Sequence, residues 1–378
     1  TGKENNGTEQ DDITNPPVSG VGFDVYKIGE LESINSTPAT PEEKEKYAVP
    51  QGGDGWVYKK NADKLEVTNG THTYIYALGA NVNSTSEVTN STGTLTFSNL
   101  EKGYYFVEEN LSYGTPQVNG KEVKITSQVR PFVVAVPMTT PNGEDWMKDV
   151  HVYPKNEGLN PEKKPSVPSV NVGDTVGWTI TVNIPTDIAS YTKFDIIDNL
   201  DKRLNYDGNL VVKALDSSGN PLFILDKGND YELTAPTDNT EGGIVTVTLK
   251  ADGITKLANN KSVVKLSVSF DTTVNGNIKN DDDNKIENMA TIEFTNDSKT
   301  DTDKTPTATI HTGEIKIDKT YSGGTVTESA QFQLAKTNTA AESGEYLRVV
   351  LDSTNAHIVD IVAPGEPGYD TAKNWVAL

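Results

Sequence analysis

Lys155 follows a short strand pattern that cannot continue past it. Val150 and Val152 alternate with polar residues as in a strand, and Pro154 has no N–H to donate to further pairing. A lysine held just past a fixed strand end presents its amine in one place, where it becomes a nucleophile once its pKa is lowered. The spacing therefore makes Lys155 a candidate nucleophile, whereas an isolated Tyr-Pro-Lys would more simply be a strand end with a surface lysine.

A second group of candidates consists of polar residues at positions where strand periodicity predicts burial. Asp198 shares a face with the apolar residues of a strand at 194–200, and Asn288 does so in a strand at 286–294. Two such interruptions predict a buried acid and a buried amide that act as each other's polar partners, because an unsatisfied buried polar group costs about 1–3 kcal/mol. A plain Asp–Asn hydrogen bond or a loop end would also explain the pattern.

A further candidate acid is Glu108, which shares a strand face with Tyr104 and Phe106, whereas Glu109 falls on the opposite face. A carboxyl group in an aromatic stripe either stays protonated, with a raised pKa, or has a partner. The alternative is that Glu108 is a surface acid on an edge strand.

These candidates lie in a chain whose composition predicts β structure. Thr, Val, Tyr and Ile are frequent, and short strand patterns alternate with turn signals such as Asn-Gly, Asp-Gly and Pro. At 378 residues the chain is long enough for two or three domains, and a Pro-, Lys- and Ser-rich stretch after residue 157 indicates a linker. We therefore predict an all-β protein of tandem sandwiches over residues 1–157, 158–311 and 312–378.

Composition also argues against several classes of protein. A net charge of −21 and a pI of about 4.6 disfavour nucleic acid and anionic membrane surfaces as partners, since both need a basic footprint. Without cysteine there is neither a disulfide nor a thiol nucleophile. We expect no membrane span, signal peptide or cofactor. The four histidines are scattered, and the acidic run at 281–283 is more typical of a solvated loop than of a metal site.

The residues around Lys155 match a spaced motif, W-x-x-x-V-x-V-Y-P-K. By this motif the sequence resembles the backbone subunits of sortase-assembled pili of Gram-positive bacteria; the matching residues are Trp146, Val150, Val152, Tyr153, Pro154 and Lys155. The resemblance implies a structural protein rather than an enzyme, outside the cell on a pilus anchored to the cell wall. It also implies that a pilus-specific, class C sortase joins Lys155 to the next copy of the chain.

The first domain carries another resemblance. Residues 103–109 resemble the E-box strand of the collagen-adhesin B-type (CnaB) immunoglobulin-like fold, which implies that Glu108 promotes an isopeptide bond with Asn156 as the acceptor. The donor lysine should lie on a strand before Val21, where no strand pattern is found. Lys27 is a weak substitute for it.

In the second domain, residues 172–182 resemble the opening of a collagen-adhesin A-type (CnaA) immunoglobulin-like domain. This resemblance implies a spontaneous isopeptide bond to Asn288, promoted by Asp198. Its donor is either Lys163 or Lys164, because adjacent strand residues face opposite ways and the sequence does not fix which one turns inward. We favour Lys163.

The third segment resembles the start of another CnaB-like domain. Residues 313–319 form a strand pattern that places Lys319 in the isopeptide-donor position. No matching E-box strand or Asn-bearing last strand follows before Leu378. We therefore expect this domain to be truncated.

An alternative interpretation is a surface adhesin or tip pilin that uses the same domains to bind a host ligand such as collagen. It explains the predicted folds but not the motif that ends at Lys155. For a pilus subunit, minor pilins and host surface ligands are further partners to expect. A polymer ladder in the native organism would distinguish the two functions.

Overall fold

The structure, a computed structural model, describes residues 6–10, 13, 15–46, 49–50, 55–237, 240–280, 285–313, 333, 335, 337–351 and 358–374. Strands dominate these residues, and the predicted all-β class is confirmed. The α-helices are short: α1 (Pro41–Lys46), α2 (Ala251–Asn259) and α3 (Asn338–Glu342). By its internal contacts the chain separates into two compact units, Thr1–Gly158 and Leu159–Leu378.

The prediction of three domains with boundaries near 157 and 312 stays a prediction. The strand pattern around Lys319 and the acidic run at 281–283 lie outside the described residues.

The first unit is built on one antiparallel sheet of seven strands. Its order is β10-β7-β2-β6-β5-β4, with β3 paired to β2; β1, β8 and β9 form a small sheet, and β11 pairs with β12. The strands are β1 (Val18–Ser19), β2 (Gly22–Ile34), β3 (Thr37–Pro38), β4 (Val57–Asn61), β5 (Lys64–Thr68), β6 (Thr73–Asn81), β7 (Gly103–Asn110), β8 (Gln117–Val118), β9 (Lys121–Glu122), β10 (Phe132–Val136), β11 (Met138–Thr139) and β12 (Trp146–Met147).

Strand β7 is apolar on both faces, because the sheet buries residues on each side of it. Phe106 packs into a cluster with Leu65 and Tyr76, whereas Tyr105 and Val107 pack into a second cluster with residues of β2 and β10. Alternation along β7 thus assigns each of its side chains to one of two layers. The two acids at its end, Glu108 and Glu109, consequently point to opposite faces.

The second unit contains a nine-stranded antiparallel sheet in the order β13-β14-β19-β15-β18-β17, with β16 and β21 also on β15, and β22 on β21. Two smaller sheets pair β20 with β23, and β24 with β25 and β26. The strands are β13 (Glu162–Pro165), β14 (Thr175–Asn183), β15 (Lys193–Leu215), β16 (Pro221–Ile224), β17 (Tyr231–Thr234), β18 (Glu241–Leu249), β19 (Lys265–Val274), β20 (Lys285–Asn288), β21 (Ala290–Thr295), β22 (Thr300–Lys304), β23 (Ala308–His311), β24 (Arg348–Leu351), β25 (Ile358–Val362) and β26 (Lys373–Asn374).

Strand β15 organises this unit because it changes partners along its length. Its first part pairs with β18 and β21, and its second part pairs with β19 and β16. The register with β18 shifts between Leu200 and Asn205, where pairing with β19 begins at Leu204. Such irregularities let one strand contribute to two layers of a sandwich. Fully buried rings fill the core between them, among them Trp178, Phe194, Phe270 and Phe294.

Replacing Leu65 with Ala is expected to lower the free energy of unfolding of the first unit by about 2–5 kcal/mol, because the side chain is fully buried and leaves a cavity. Urea titration followed by circular dichroism measures the change. The matched control is Val57→Ala, at a position that is 60% exposed, where we expect a change within about 0.5 kcal/mol. Equal losses in both variants would contradict this description of the core.

Candidate functional site

Lys163 and its neighbour Lys164 face opposite sides of β13. Lys163 lies opposite Ile180 of β14 and is buried, whereas Lys164 is exposed and its amine pairs with Glu162 at 2.9 Å. The structure thus distinguishes the two lysines, which strand alternation in the sequence left open. Only Lys163 has its amine inside the unit.

The Lys163 amine is surrounded by one acid and two aromatic rings. Nζ donates a hydrogen bond to Oδ2 of Asp198. It lies 4.9 Å from the ring centroid of Trp178 and 5.8 Å from that of Phe270. Both rings are fully buried, so they exclude water from the amine while their faces attract whatever positive charge it carries.

Asn288 is the last residue of β20 and is 2% exposed. Ala290, two residues further along, pairs directly with Asp198 across β21 and β15. Burial raises the pKa of the Asp198 carboxyl, and the Asn288 amide opposes that rise. Yet neither its Oδ1 nor its Nδ2 meets a partner with full hydrogen-bond geometry among the described residues. A buried amide without hydrogen-bond partners lowers the stability of the fold by about 1–3 kcal/mol.

Burial changes the protonation of the lysine and the acid in opposite directions. Desolvation lowers the pKa of Lys163 to about 8, even though the Asp198 carboxylate acts in the opposite sense. Desolvation likewise raises the pKa of Asp198, against the effects of Lys163 and Asn288. Both shifts favour a neutral amine beside a protonated acid. A neutral amine and a protonated acid are the pair that attack of an amine on an amide requires.

Lys155 has the opposite environment, on the surface of the first unit. Its side chain is exposed, and no regular strand runs through it. Isolated bridges hold the chain on both sides of it, between His151 and Gly7 and between Glu157 and Ser127. The amine is thus reachable while its backbone is held.

The other motif residues lie along the same segment. Trp146 is 61% exposed on the hairpin of β11 and β12. The hydroxyl of Tyr153 accepts a hydrogen bond from the backbone N–H of Gln10 at 2.8 Å. The three remaining residues line a cavity of about 380 Å³ beside β10; they are Val150, Val152 and Pro154.

The structure corrects the acid assigned to Asn156. Nδ2 of Asn156 donates to Oε1 of Glu109 at 2.7 Å, and Oε2 of Glu109 accepts from the backbone N–H of Val129 at 2.8 Å. Glu108 lies on the opposite face of β7, in register with Asp24, where burial raises its pKa. Sequence alternation alone placed the two acids on different faces, but it did not show which face meets Asn156.

Lys27, the weak substitute donor, does not approach this amide either. Its amine pairs with Glu101, and the side chain is 39% exposed. The described residues therefore bring Glu109 and Asn156 together without Lys27. The arrangement is a hydrogen-bonded anchor for the segment that carries Lys155.

Sequence reasoning also missed the surroundings of the two lysines. The resemblance over residues 172–182 did not show that the ring of Trp178 covers Lys163. Gly7 and Gln10 gave no signal, because the stretch before residue 20 is polar and lacks strand periodicity. Within the described ranges, no group of three His, Asp or Glu side chains lies together as a metal site. No helix there is long and apolar enough to cross a membrane.

Comparisons with known proteins match this arrangement to two domain families. Residues 1–157 match the model of the N-terminal domain, D1, of the Gram-positive pilin subunit, and residues 160–308 match that of the Sgo0707 N2 domain. Residues 1–157 are therefore similar to the D1 domain of Gram-positive pilin subunits. The resemblance to Gram-positive pilins that the sequence indicated is confirmed.

Individual relatives cover parts of the chain. It is 33% identical over 158 residues to the fimbrial subunit type 2 of Actinomyces naeslundii, covering 40% of this chain and 27% of that protein. The full-length major pilin SpaD of Corynebacterium diphtheriae is 25% identical with a TM-score of 0.49, over 82% of this chain and 64% of SpaD. BcpA, the major pilin subunit of Bacillus cereus, is 16% identical with a TM-score of 0.44, over 95% of this chain and 80% of BcpA. The chain spans less than two thirds of the first two relatives.

Replacing Glu109 with Ala is expected to lower the free energy of unfolding of the first unit by about 1–3 kcal/mol, because Val129 N–H and the Asn156 amide lose their acceptor. The matched control is Glu108→Gln, which removes a carboxyl group that burial already disfavours in its charged form and should be close to neutral. Chemical denaturation of both variants measures the difference. A larger loss from Glu108→Gln would reverse our assignment.

Proposed function

We propose that this chain is a structural subunit of a covalently polymerised pilus on the surface of a Gram-positive bacterium. The observation that carries the proposal is the exposed Lys155, which lies on a segment held at both sides within a domain similar to pilin D1. Its partners are other copies of the chain, a pilus-specific sortase and minor pilins, and the polymer is anchored to the cell wall.

In the linkage step, Lys155 attacks the acyl group that the sortase has taken from another subunit. The neutral amine forms an amide bond to the acyl carbon, the sortase nucleophile leaves, and the proton lost by the amine returns to that nucleophile. The surface position of Lys155 suits this step, because the acyl group arrives on a second protein. The held backbone suits it too, since less freedom is lost on docking.

The second part of the proposal is an isopeptide bond between Lys163 and Asn288 inside the second unit. The neutral Lys163 amine attacks Cγ of Asn288, while protonated Asp198 hydrogen-bonds the amide oxygen. Asp198 then relays the amine's proton to the departing nitrogen, so one ammonia leaves and the acid is regenerated. Support comes from the burial of all three side chains, from the hydrogen bond between Lys163 and Asp198, and from the position of Asn288 two residues before Ala290, the cross-strand partner of Asp198.

This bond would close a loop of roughly 125 residues, and the chain-entropy estimate for such a crosslink is about 5 kcal/mol. It would connect β13, the first strand of the unit, to β20, which directly precedes β21 and β22, the last strands of the main sheet. Tension along the chain would then load a covalent bond rather than a row of hydrogen bonds. In a shaft protein without cysteine, such a bond would provide the covalent crosslink that a disulfide provides in other proteins.

A surface adhesin or tip pilin that binds a host ligand is the alternative function. Residues 160–308 match the Sgo0707 N2 domain, and Sgo0707 is named as an adhesin of Streptococcus gordonii. The alternative gives no role to the exposed Lys155. A ligand-binding subunit without self-linkage would yield no ladder of increasing size.

Replacing Lys155 with Ala is expected to abolish polymer formation in a reconstitution with the pilus sortase, because the attacking amine is removed while the fold is kept. Gel electrophoresis under denaturing conditions shows the ladder directly. Lys148→Ala is the matched control, since it removes another exposed lysine seven residues earlier and should leave the ladder intact. A normal ladder from Lys155→Ala would rule out this linkage.

Because the Lys163–Asn288 bond releases one ammonia, the folded protein is expected to be lighter than its sequence mass by that amount. Asp198→Ala should restore the full mass. Without the acid, the buried amide carbonyl is not polarised and the leaving nitrogen is not protonated. Intact-mass and tryptic mass spectrometry detect the loss and the branched peptide. Lys164→Ala is the control that should keep the bond. Linear, unmodified peptides covering both Lys163 and Asn288 in the wild type would contradict it.

A further inference from the structure

An N-terminal segment runs beside the chain that carries Lys155. The backbone N–H of His151 donates to the carbonyl of Gly7 at 2.9 Å, and the two residues form an isolated antiparallel bridge. Three residues later, the backbone N–H of Gln10 donates to the hydroxyl of Tyr153 at 2.8 Å. Residues 7–10, which we call the N-terminal strap, thus contact the motif at two points.

On the other side of Lys155 the chain is held from within the domain. Glu157 exchanges backbone hydrogen bonds with Ser127, and the amide of Asn156 donates to Glu109 at 2.7 Å. Lys155 therefore lies between two sets of anchors. The strap makes the hydrogen bonds on the upstream side, and Ser127 and Glu109 make those on the downstream side.

The strap is seated closely at Gly7. This residue is buried and has a φ of +82°, a left-handed conformation that favours glycine. A Cβ atom added there would come within 2.8 Å of both Sδ of Met138 and Cε of Met147, and 3.6 Å from Val150. Gly7 thus packs against the hairpin and the strand-like stretch that precede Lys155.

We propose that the N-terminal strap is a positioning element for Lys155, which fixes the upstream half of the lysine's segment for acyl transfer. The inference rests on the proposed linkage function of Lys155. The segment belongs to no regular sheet, so each bridge removes a substantial part of its freedom. An amine held in its reactive position gains rate, because less ordering is needed when the acyl group docks.

The strap also gives a physical role to the Tyr153 hydroxyl. A phenylalanine ring would pack similarly along the segment, but it would offer no acceptor for the Gln10 N–H. Since the donor is a backbone group, the contact depends on the path of the strap rather than on the Gln10 side chain. This property allows a matched pair of variants at a single position.

The test compares Gln10→Pro, which removes the backbone donor, with Gln10→Ala, which keeps it. In Gln10→Pro, we expect amide hydrogen exchange at residues 150–157 to rise about five- to tenfold, with β2 and β7 unchanged. With the pilus sortase and a sorting-signal peptide as acyl donor, the linkage rate at Lys155 should fall by about tenfold. Gln10→Ala should match the wild type in both measurements. Adding Tyr153→Phe to Gln10→Pro should slow linkage no further than Tyr153→Phe alone.

The outcomes separate the strap from the linkage function. Unchanged exchange at 150–157 in Gln10→Pro would overturn the strap, and faster exchange with an unchanged linkage rate would overturn its positioning role. If the wild type forms no linkage, or Lys155→Ala still forms it, the linkage function fails and the positioning role fails with it. Hydrogen exchange would still decide in that case whether the strap holds the segment.

Discussion

The structure of the second unit depends on the burial of a lysine, an acid and an amide in one apolar core. Lys163, Asp198 and Asn288 are each almost completely excluded from water, on three different strands. As an ordinary ion pair the first two would be a weak source of stability, because the cost of desolvating both charges offsets their attraction. The same cost explains the raised pKa of Asp198 and the lowered pKa of Lys163. An arrangement that is unfavourable as a salt bridge is well suited to forming a covalent bond.

The two lysines lie in opposite environments, which suit the two different tasks proposed for them. Lys163 is turned inward on β13 beside aromatic rings, so its neighbours set its protonation, and Asp198, Trp178 and Phe270 around its amine all belong to the same unit. Lys155 is exposed, so in the proposed linkage a second protein supplies the electrophile. An internal crosslink requires burial, and an intersubunit link requires access. The buried Lys163 and the exposed Lys155 suit these two proposed roles.

Different kinds of backbone support follow from this division. The backbone of Lys163 is held by the hydrogen bonds of a four-residue strand, β13, that pairs with β14. Lys155 lies where no sheet continues, and isolated bridges and the Asn156–Glu109 contact hold its segment in place. Hydrogen bonds from sequence-distant residues, rather than a strand ladder, therefore define the position of the exposed amine. Such contacts leave the side chain free on its outer face.

The sequence by itself determined the all-β class, the strand patterns around Asp198 and Asn288, and the motif that ends at Lys155. These features follow from local periodicity and spacing, which depend only on neighbours along the chain. Tertiary structure alone decided that Lys163 rather than Lys164 turns inward. It also decided that Glu109 rather than Glu108 meets Asn156, and that Gly7 and Gln10 contact the motif. Period-2 alternation separates two faces but does not say which one meets a given distant residue, because that depends on how remote strands pack.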